Sequence, residues 1–243
     1  ELHLMYERIA ATNGKHFFCE VGVGTEGIDE LAQLIHGKGT VAAPSCTLRF
    51  HPMVQMFKSI VDAGEIGTVL SFSSHSGQYL PDWHPWEDYR HGYSAQRSLG
   101  GGVILDRIHE VDYMRWLLGD ITEVSAMMGR LSDLEIDTED TVEVLLRFAS
   151  GVFGSVHLDY VRRTYDCSLE IIGDGGTVQW NYQGHTVCWY LADGEKWHSL
   201  EWPGYDGNEM YLAETRHFLR ALRGEETPEL DVTGASRVLA IAL

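Results

Sequence analysis

Between Gly119 and Leu191 the chain is punctuated by turns at Gly151, Gly173 to Gly176 and Gly184, and the runs between them are short and rich in β-branched and aromatic residues. Val142 to Phe148, Gly154 to Tyr160, Ser168 to Ile172, Thr177 to Tyr182 and His185 to Leu191 are such runs. Segments of this length with turns this tight bury an apolar face most simply as successive antiparallel strands. The first 48 residues read differently. A helix over Leu2 to Thr12 stops at Asn13 and Gly14, a strand follows over His16 to Glu20, then a helix over Gly27 to His36 and a strand over Thr40 to Leu48. Helix and strand alternating at this spacing indicate parallel βα units. Two such units are too few for a doubly wound sheet, so they read as the end of a larger one.

From His51 a helix is expected to about Ala63, a turn over Gly64 to Gly67, and a strand from Thr68 to Ser76. Tyr79 to Ser98 is polar, aromatic and proline-bearing, which reads as a long loop, and long loops in compact domains are usually functional. A helix over Gly102 to Leu118 and a last one over Asn208 to Leu222 complete the pattern.

Composition narrows the partners. Among 243 residues, 36 Asp and Glu against 18 Lys and Arg give a formal charge of −18, which repels nucleic-acid phosphates and anionic headgroups. A neutral, sugar-like ligand is electrostatically easier, unless a local basic pocket overrides the field. Cys19, Cys46, Cys167 and Cys188 form no CxxC pair, so neither a zinc knuckle nor a disulfide framework is expected, and a reducing, cytoplasmic setting fits. No apolar run approaches the ~20 residues that span a bilayer. Glu1 is no natural start, and Leu243 falls inside an apolar periodic stretch, so both ends are expected to be cut.

The chemistry concentrates in Leu99 to Asp112, LGGGVILDRIHEVD. Gly100, Gly101 and Gly102 let the backbone approach a ligand or another chain segment closely. Asp106, His109 and Asp112 follow at three-residue spacing, which on a helix puts acid, imidazole and acid on roughly one face, the layout of a proton-transfer site. The plainer reading is a glycine turn before an amphipathic helix, with Ile104, Leu105, Ile108, Val111, Met114 and Leu118 as its buried stripe. A divalent metal held by Asp106, His109, Glu110 and Asp112 is disfavoured, because the spacing is not HExxH and no histidine-rich partner segment exists.

Tyr79 to Arg90, YLPDWHPWEDYR, mixes aromatics with Asp82, Glu87, Asp88 and Arg90. Aromatic faces such as Trp86 and Tyr89 suit sugar rings, while carboxylates and guanidinium suit hydroxyls. A lid or an oligomer contact is the alternative. Tyr160, Arg162 and Arg163 stand at the end of an expected strand, where further polar contacts or plain surface arginines both fit.

Taken in order, these segments resemble the Gfo/Idh/MocA family of nicotinamide-dependent sugar and cyclitol oxidoreductases. GKHFFCE at Gly14 to Glu20 is similar to the family's GKHVxCEKP strand, LRFHP at Leu48 to Pro52 to its RFxP junction, and GEIGTV at Gly64 to Val69 to its GxIGxV turn. GGGVILDRIHEVD is similar to the GGGxxxD…HxxD segment, with Asp106 to His109 one residue shorter than much of the family, and EIIGDGGTVQW at Glu170 to Trp180 to a late hairpin. The resemblance implies α/β plus α+β architecture: residues 1–47 as the C-terminal part of a Rossmann domain, and 48–243 as a substrate-binding and oligomerisation α+β domain with a large, mostly antiparallel open sheet. The G-x-G-x-x-G fingerprint that cradles pyrophosphate is then expected N-terminal to these residues.

What the resemblance implies for function is an oxidoreductase that uses NAD or NADP on a secondary hydroxyl or keto group of a sugar, amino sugar or cyclitol, and pairs into a homodimer or homotetramer through its sheet face. His109 would be the general acid/base, and Asp106 would orient substrate or imidazole. Arg49, Trp86, Asp88, Tyr89, Arg90, Asp112 and Tyr160 would bind substrate, and Glu20, Val21, Arg49 and Gly101 would contact the cofactor. The family's Glu-Lys-Pro reads Glu20, Val21 and Gly22 here, and valine can neither donate a proton nor hydrogen-bond. Arg49 or Arg107 would have to compensate for the missing lysine. Otherwise the chain is a non-catalytic sugar-binding or assembly member.

Overall fold

A computed structural model of the chain describes residues 2–22 and 24–243. In chain order it runs α1 (Leu2–Thr12), β1 (Phe17–Cys19), α2 (Ile28–Lys38), β2 (Ala42–Pro44), α3 (Pro52–Asp62), β3 (Val69–Gly77), α4 (Leu80–Trp83), α5 (Val103–Asp106), α6 (Ile108–Leu118), β4 (Ile121–Gly129), β5 (Thr141–Phe148) and β6 (Phe153–Asp159). There follow β7 (Asp166–Gly173), β8 (Gly176–Asn181), β9 (Thr186–Leu191), β10 (Lys196–Glu201), α7 (Asn208–Leu222) and α8 (Val232–Ala242). Two compact units emerge. One comprises the residues up to His51, Val111–Tyr113 and Asp206–Leu243, and the other Pro52–Glu110 and Met114–Tyr205. The first boundary falls close to the expected one at residue 47, but the C-terminal helices α7 and α8 belong with the βα segment rather than with the sheet. α7 packs against residues 47–50, and α8 against α2 and β2.

In the first unit β1 and β2 pair in parallel, Phe17 opposite Ala42 and Cys19 opposite Pro44. Ala11, Leu31, Ala42 and Val232 form a buried cluster joined by Phe17, Ile28 and Ile35, so α1, α2 and α8 close over this ribbon. The strand expected over Thr40 to Leu48 is shorter than its apolar letters suggest. Pro44 lacks the N–H that would extend the ladder, and the chain turns to enclose the buried carboxylate of Glu214 on α7. Glu214 accepts from the Cys46 backbone N–H at 2.6 Å, the Thr47 hydroxyl at 2.7 Å and the Ser45 hydroxyl at 3.2 Å. A 3-10 turn over Thr47–Phe50 results.

The second unit is an eight-stranded sheet in the order β10-β9-β8-β7-β3-β6-β5-β4. All pairings are antiparallel except β3 with β6, where Ser71 lies opposite Phe153 and Gly77 opposite Asp159. Alternation assigns the faces. Val142, Val144, Leu146 and Phe148 on β5, Val156 and Leu158 on β6, Leu169 and Ile171 on β7, and Val178 and Trp180 on β8 are buried, and α3 packs against β8 and β9. The other face carries Met127, Leu145, Phe153 and Ile172 exposed among serines and charged residues. Gly154 is fixed by close approach, since a Cβ there would overlap the Phe72 carbonyl oxygen on β3.

Glu214→Ala strips three donors of a buried acceptor, and each unsatisfied buried group costs about 1–3 kcal/mol. The expected outcome is a chain destabilised by roughly 3 kcal/mol or more in urea titration, against little change for Glu209→Ala on the exposed side of α7. Equal stabilities would remove Glu214 from its structural role.

Candidate active site

The segment Gly100 to Asp112 forms two helices where its periodicity predicts one. α5 ends at Asp106, Arg107 has φ −102° and ψ 23°, and α6 starts at Ile108. The break separates the fates of the three residues that the three-residue spacing would align. Asp106 accepts a hydrogen bond from the Tyr160 hydroxyl through Oδ2, while its Oδ1 is buried without a partner. His109 is partly buried, and its Nδ1 also lacks a partner. Asp112, 1% exposed, is committed elsewhere: its Oδ2 accepts from Arg49 Nε at 3.0 Å and its Oδ1 from Arg49 Nη2 at 2.6 Å. Both Asp112 oxygens are thereby taken up by the Arg49 guanidinium.

Arg49 is spent in the same way. Its Nη1 donates to the Glu229 carbonyl at 3.0 Å, so the guanidinium is a buried structural tie in the first unit and not the substitute cation that the Val21 replacement would need. Gly101 is explained by packing as well, because a Cβ would overlap the carbonyl oxygens of Tyr93 and Ser94. The chain, rather than a cofactor, makes the close approach at this glycine. Gly102 adopts φ +118°, which favours glycine, and the Glu139 carboxylate lies where its Cβ would be.

Tyr160 is fully buried on the inner face at the end of β6. Burial first, and the Asp106 carboxylate second, push its phenol well above the ordinary range, so it stays a neutral donor that holds Asp106. This makes it a positioning residue rather than one that touches substrate. The expected sugar-binding loop divides. Trp86 is 78% exposed. Asp88 and Arg90 engage one another, with Nη2 to Oδ2 at 2.6 Å, and hydrogen bonds from Arg90 hold the Asp88 carboxyl down at about 2. The Tyr89 hydroxyl accepts from the Glu135 N–H at 3.2 Å. This part of the loop is fastened to residues 133–137 rather than gathered at Asp106.

Trp83 and Tyr165, to which the sequence patterns gave no role, gather there with Arg107, the arginine offered for the missing lysine. The Trp83 ring on α4 lies 6.0 Å from the Tyr160 ring, and the Arg107 guanidinium stacks 4.4 Å over Trp83 and 5.5 Å from Tyr165. Tyr165 leads on to Tyr182 and His185, ring to ring at 5.6 and 6.2 Å. In the second unit, an acceptor on Asp106, donors on Arg107 and a ring nitrogen on His109 thus stand unsatisfied within four residues, beside an aromatic wall. Among the described residues no group of three His, Cys, Asp or Glu side chains is arranged to hold a metal.

In the first unit Glu20 is exposed directly after β1, at the C-terminal end of a parallel strand, where open α/β sheets meet ligands. Val21, 2% exposed, is a core residue. Of the four positions assigned to the cofactor, only Glu20 offers a side chain that fits one. Gly22, Gly24 and Gly27 do carry G-x-G-x-x-G spacing, a pattern the sequence analysis placed upstream of this chain. Its setting does not fit a pyrophosphate: Asp29 and Glu30 occupy the first turn of α2, and Arg8 donates to the Gly27 carbonyl at 3.2 Å and fills the space a Cβ would take.

A family model described as the GFO/IDH/MocA C-terminal domain matches residues 54–179. The chain belongs to this family. It is 28% identical over 211 residues to a levoglucosan dehydrogenase of Pseudarthrobacter phenanthrenivorans, covering 75% of this chain and 53% of that protein. It is 25% identical to a 1,5-anhydro-D-fructose reductase of Ensifer adhaerens over all of this chain and 72% of that protein. The chain thus spans about half the length of the first of these relatives. A solved structure of levoglucosan dehydrogenase with NADH and levoglucosan superposes with TM-score 0.87 at 23% identity, covering the whole chain and 74% of that one, which establishes the shared fold.

Glu7 on α1, 3% exposed, lies beside Cys19, and burial raises its carboxyl to about 7. An acid whose pKa rises on folding favours the folded state while protonated, and that contribution fades as pH climbs from its unfolded value through about 7. Melting temperatures between pH 5 and 8 should therefore fall for the wild type more steeply than for Glu7→Gln. Parallel curves would show that the carboxyl is not titrating there.

Proposed function

We propose that the chain is part of an NAD(P)-dependent oxidoreductase acting on a secondary hydroxyl or keto group of a sugar, amino sugar or cyclitol. The observation that carries this is the run of unsatisfied polar groups at Asp106, Arg107 and His109. Buried polar atoms are nearly always paired, so three residues with unpaired atoms within a stretch of four mark a place where a ligand completes the set. Sugar and cyclitol dehydrogenases and reductases among the relatives support the same reading.

Oxidation of a secondary alcohol removes a proton from oxygen and a hydride from carbon, and a bound nicotinamide supplies the hydride acceptor. The Tyr160 hydroxyl occupies one oxygen of Asp106 and leaves Oδ1 to accept from a substrate hydroxyl. His109 takes the departing proton, since an imidazole nitrogen can accept a proton and release it again. The apolar faces of Trp83 and Tyr165 exclude water and stack on the ring.

His109→Ala should lower turnover with NAD+ or NADP+ across a panel of sugars and inositols by roughly 10²–10⁴-fold, the usual share of general acid/base catalysis, while calorimetric substrate binding persists. Turnover equal to wild type would remove His109 from the mechanism.

The reading extends to a homo-oligomer paired through the outer sheet face, supported by Met127 at 81% exposure, Leu145 at 57% and Phe153 at 56%, and to a reducing, cytoplasmic location, which suits four free cysteines. Leu145→Lys together with Phe153→Lys should shift the species seen by light scattering to the monomer. A wild type already monomeric at micromolar concentration would refute the pairing.

A further inference from the structure

Beside the acceptor, the base and the apolar wall of the proposed reaction stands a cation, Arg107, which the family resemblance offers in place of the missing lysine. Its guanidinium is stacked on Trp83 and faces Tyr165, which fixes its plane. Nε and Nη2 are buried without a hydrogen-bond partner, and among the described residues Arg107 forms no ion pair. The neighbouring acids are otherwise engaged: Asp106 takes the Tyr160 hydroxyl, and Glu110, 2% exposed, accepts from the Cys167 thiol at 3.6 Å. A guanidinium keeps its charge at any working pH, and two donors on one edge match the two oxygens of a carboxylate. Leaving such donors unmet costs far more than leaving a neutral group unmet. In a chain of net charge −18, this is the local basic point that overrides a repulsive field.

We infer that Arg107 reads an anionic group, and that the molecule bound beside Asp106 and His109 is a sugar acid whose carboxylate pairs with the Nε and Nη2 edge while a hydroxyl donates to Asp106 Oδ1. The inference rests on the oxidoreductase reading for what happens to the sugar, though not for its charge. A carboxylate on Arg107, a hydroxyl on Asp106 and an exchangeable proton at His109 together satisfy all three orphaned groups. A neutral polyol offers the guanidinium edge hydroxyl oxygens but no countercharge and no paired oxygens to match its fork.

The test is isothermal titration of the full chain, with and without added NAD+ or NADP+, against matched pairs: D-glucuronate and D-glucose, D-galacturonate and D-galactose, N-acetylneuraminate and its methyl ester. Wild type should bind the acid of at least one pair tenfold or more tightly than its neutral partner. Arg107→Met should collapse that ratio toward one, and Arg107→Lys, which keeps the charge without the fork, should retain an intermediate ratio. Thermal melts of both variants separate lost recognition from lost folding. Equal affinities in the wild type, no binding of any acid, or a ratio that survives in a folded Arg107→Met would overturn the assignment. Reduction of NAD(P)+ followed on the same samples separates the two readings. A preference for acids without turnover leaves Arg107 standing and removes the oxidoreductase, whereas turnover of neutral sugars with equal affinity within each pair does the reverse.

Discussion

A buried polar group must find its partner or cost the fold more than most single contacts contribute, and the first unit is organised around two carboxylates that obey this rule. Glu214 draws the donors of Ser45, Cys46 and Thr47 around itself and thereby ends β2. Asp112 takes the Arg49 fork, whose remaining edge holds the Glu229 carbonyl. Removing one member of such a buried pair costs about 3–5 kcal/mol, because the other is left charged and dry. These ties fix segments far apart in sequence, and they explain why an arginine in a family junction and an aspartate in a family motif are structural here.

The second unit obeys the rule almost everywhere. Asp140 collects the Leu131 and Ser132 N–H groups, and Asp159 collects those of Val161 and Arg162. Asp106 Oδ1, Arg107 Nε and Nη2 and His109 Nδ1 at the junction of α5 and α6 are buried without a partner, as are Ser76 Oγ and His185 Nδ1. At that junction an acceptor, a cation and an imidazole stand open within four residues. The helix break makes this possible, because it lets Asp106 meet Tyr160 while Arg107 turns to Trp83 and Tyr165.

Much of the architecture was legible. Alternation along β5 and the glycine turns after Gly119 announced an antiparallel sheet, and α1 runs over Leu2–Thr12 as its cap signal indicated. Asp106 and His109 were singled out by residue type and spacing, and each carries a buried atom without a partner. The rest of the site was not legible, because a motif names residue types and not their partners. Arg49, Asp112 and Gly101 have the right letters and are consumed by packing. Trp83 and Tyr165, from separate elements, carry no signal that sets them above Trp86 and Tyr89.

The sequence by itself determined the local elements, the alternation that buries one face of the sheet, and the family, since these depend on periodicities of two and 3.6 residues and on short ordered motifs. Tertiary structure alone decided which carboxylates are spent and which are available, where the helix breaks at Arg107, and that α7 and α8 join the βα segment. Those outcomes depend on contacts between residues 50 to 180 positions apart, such as Asp106 with Tyr160 and Arg49 with Glu229. Pairing at that distance follows from where each chain segment is packed, and no local pattern encodes it.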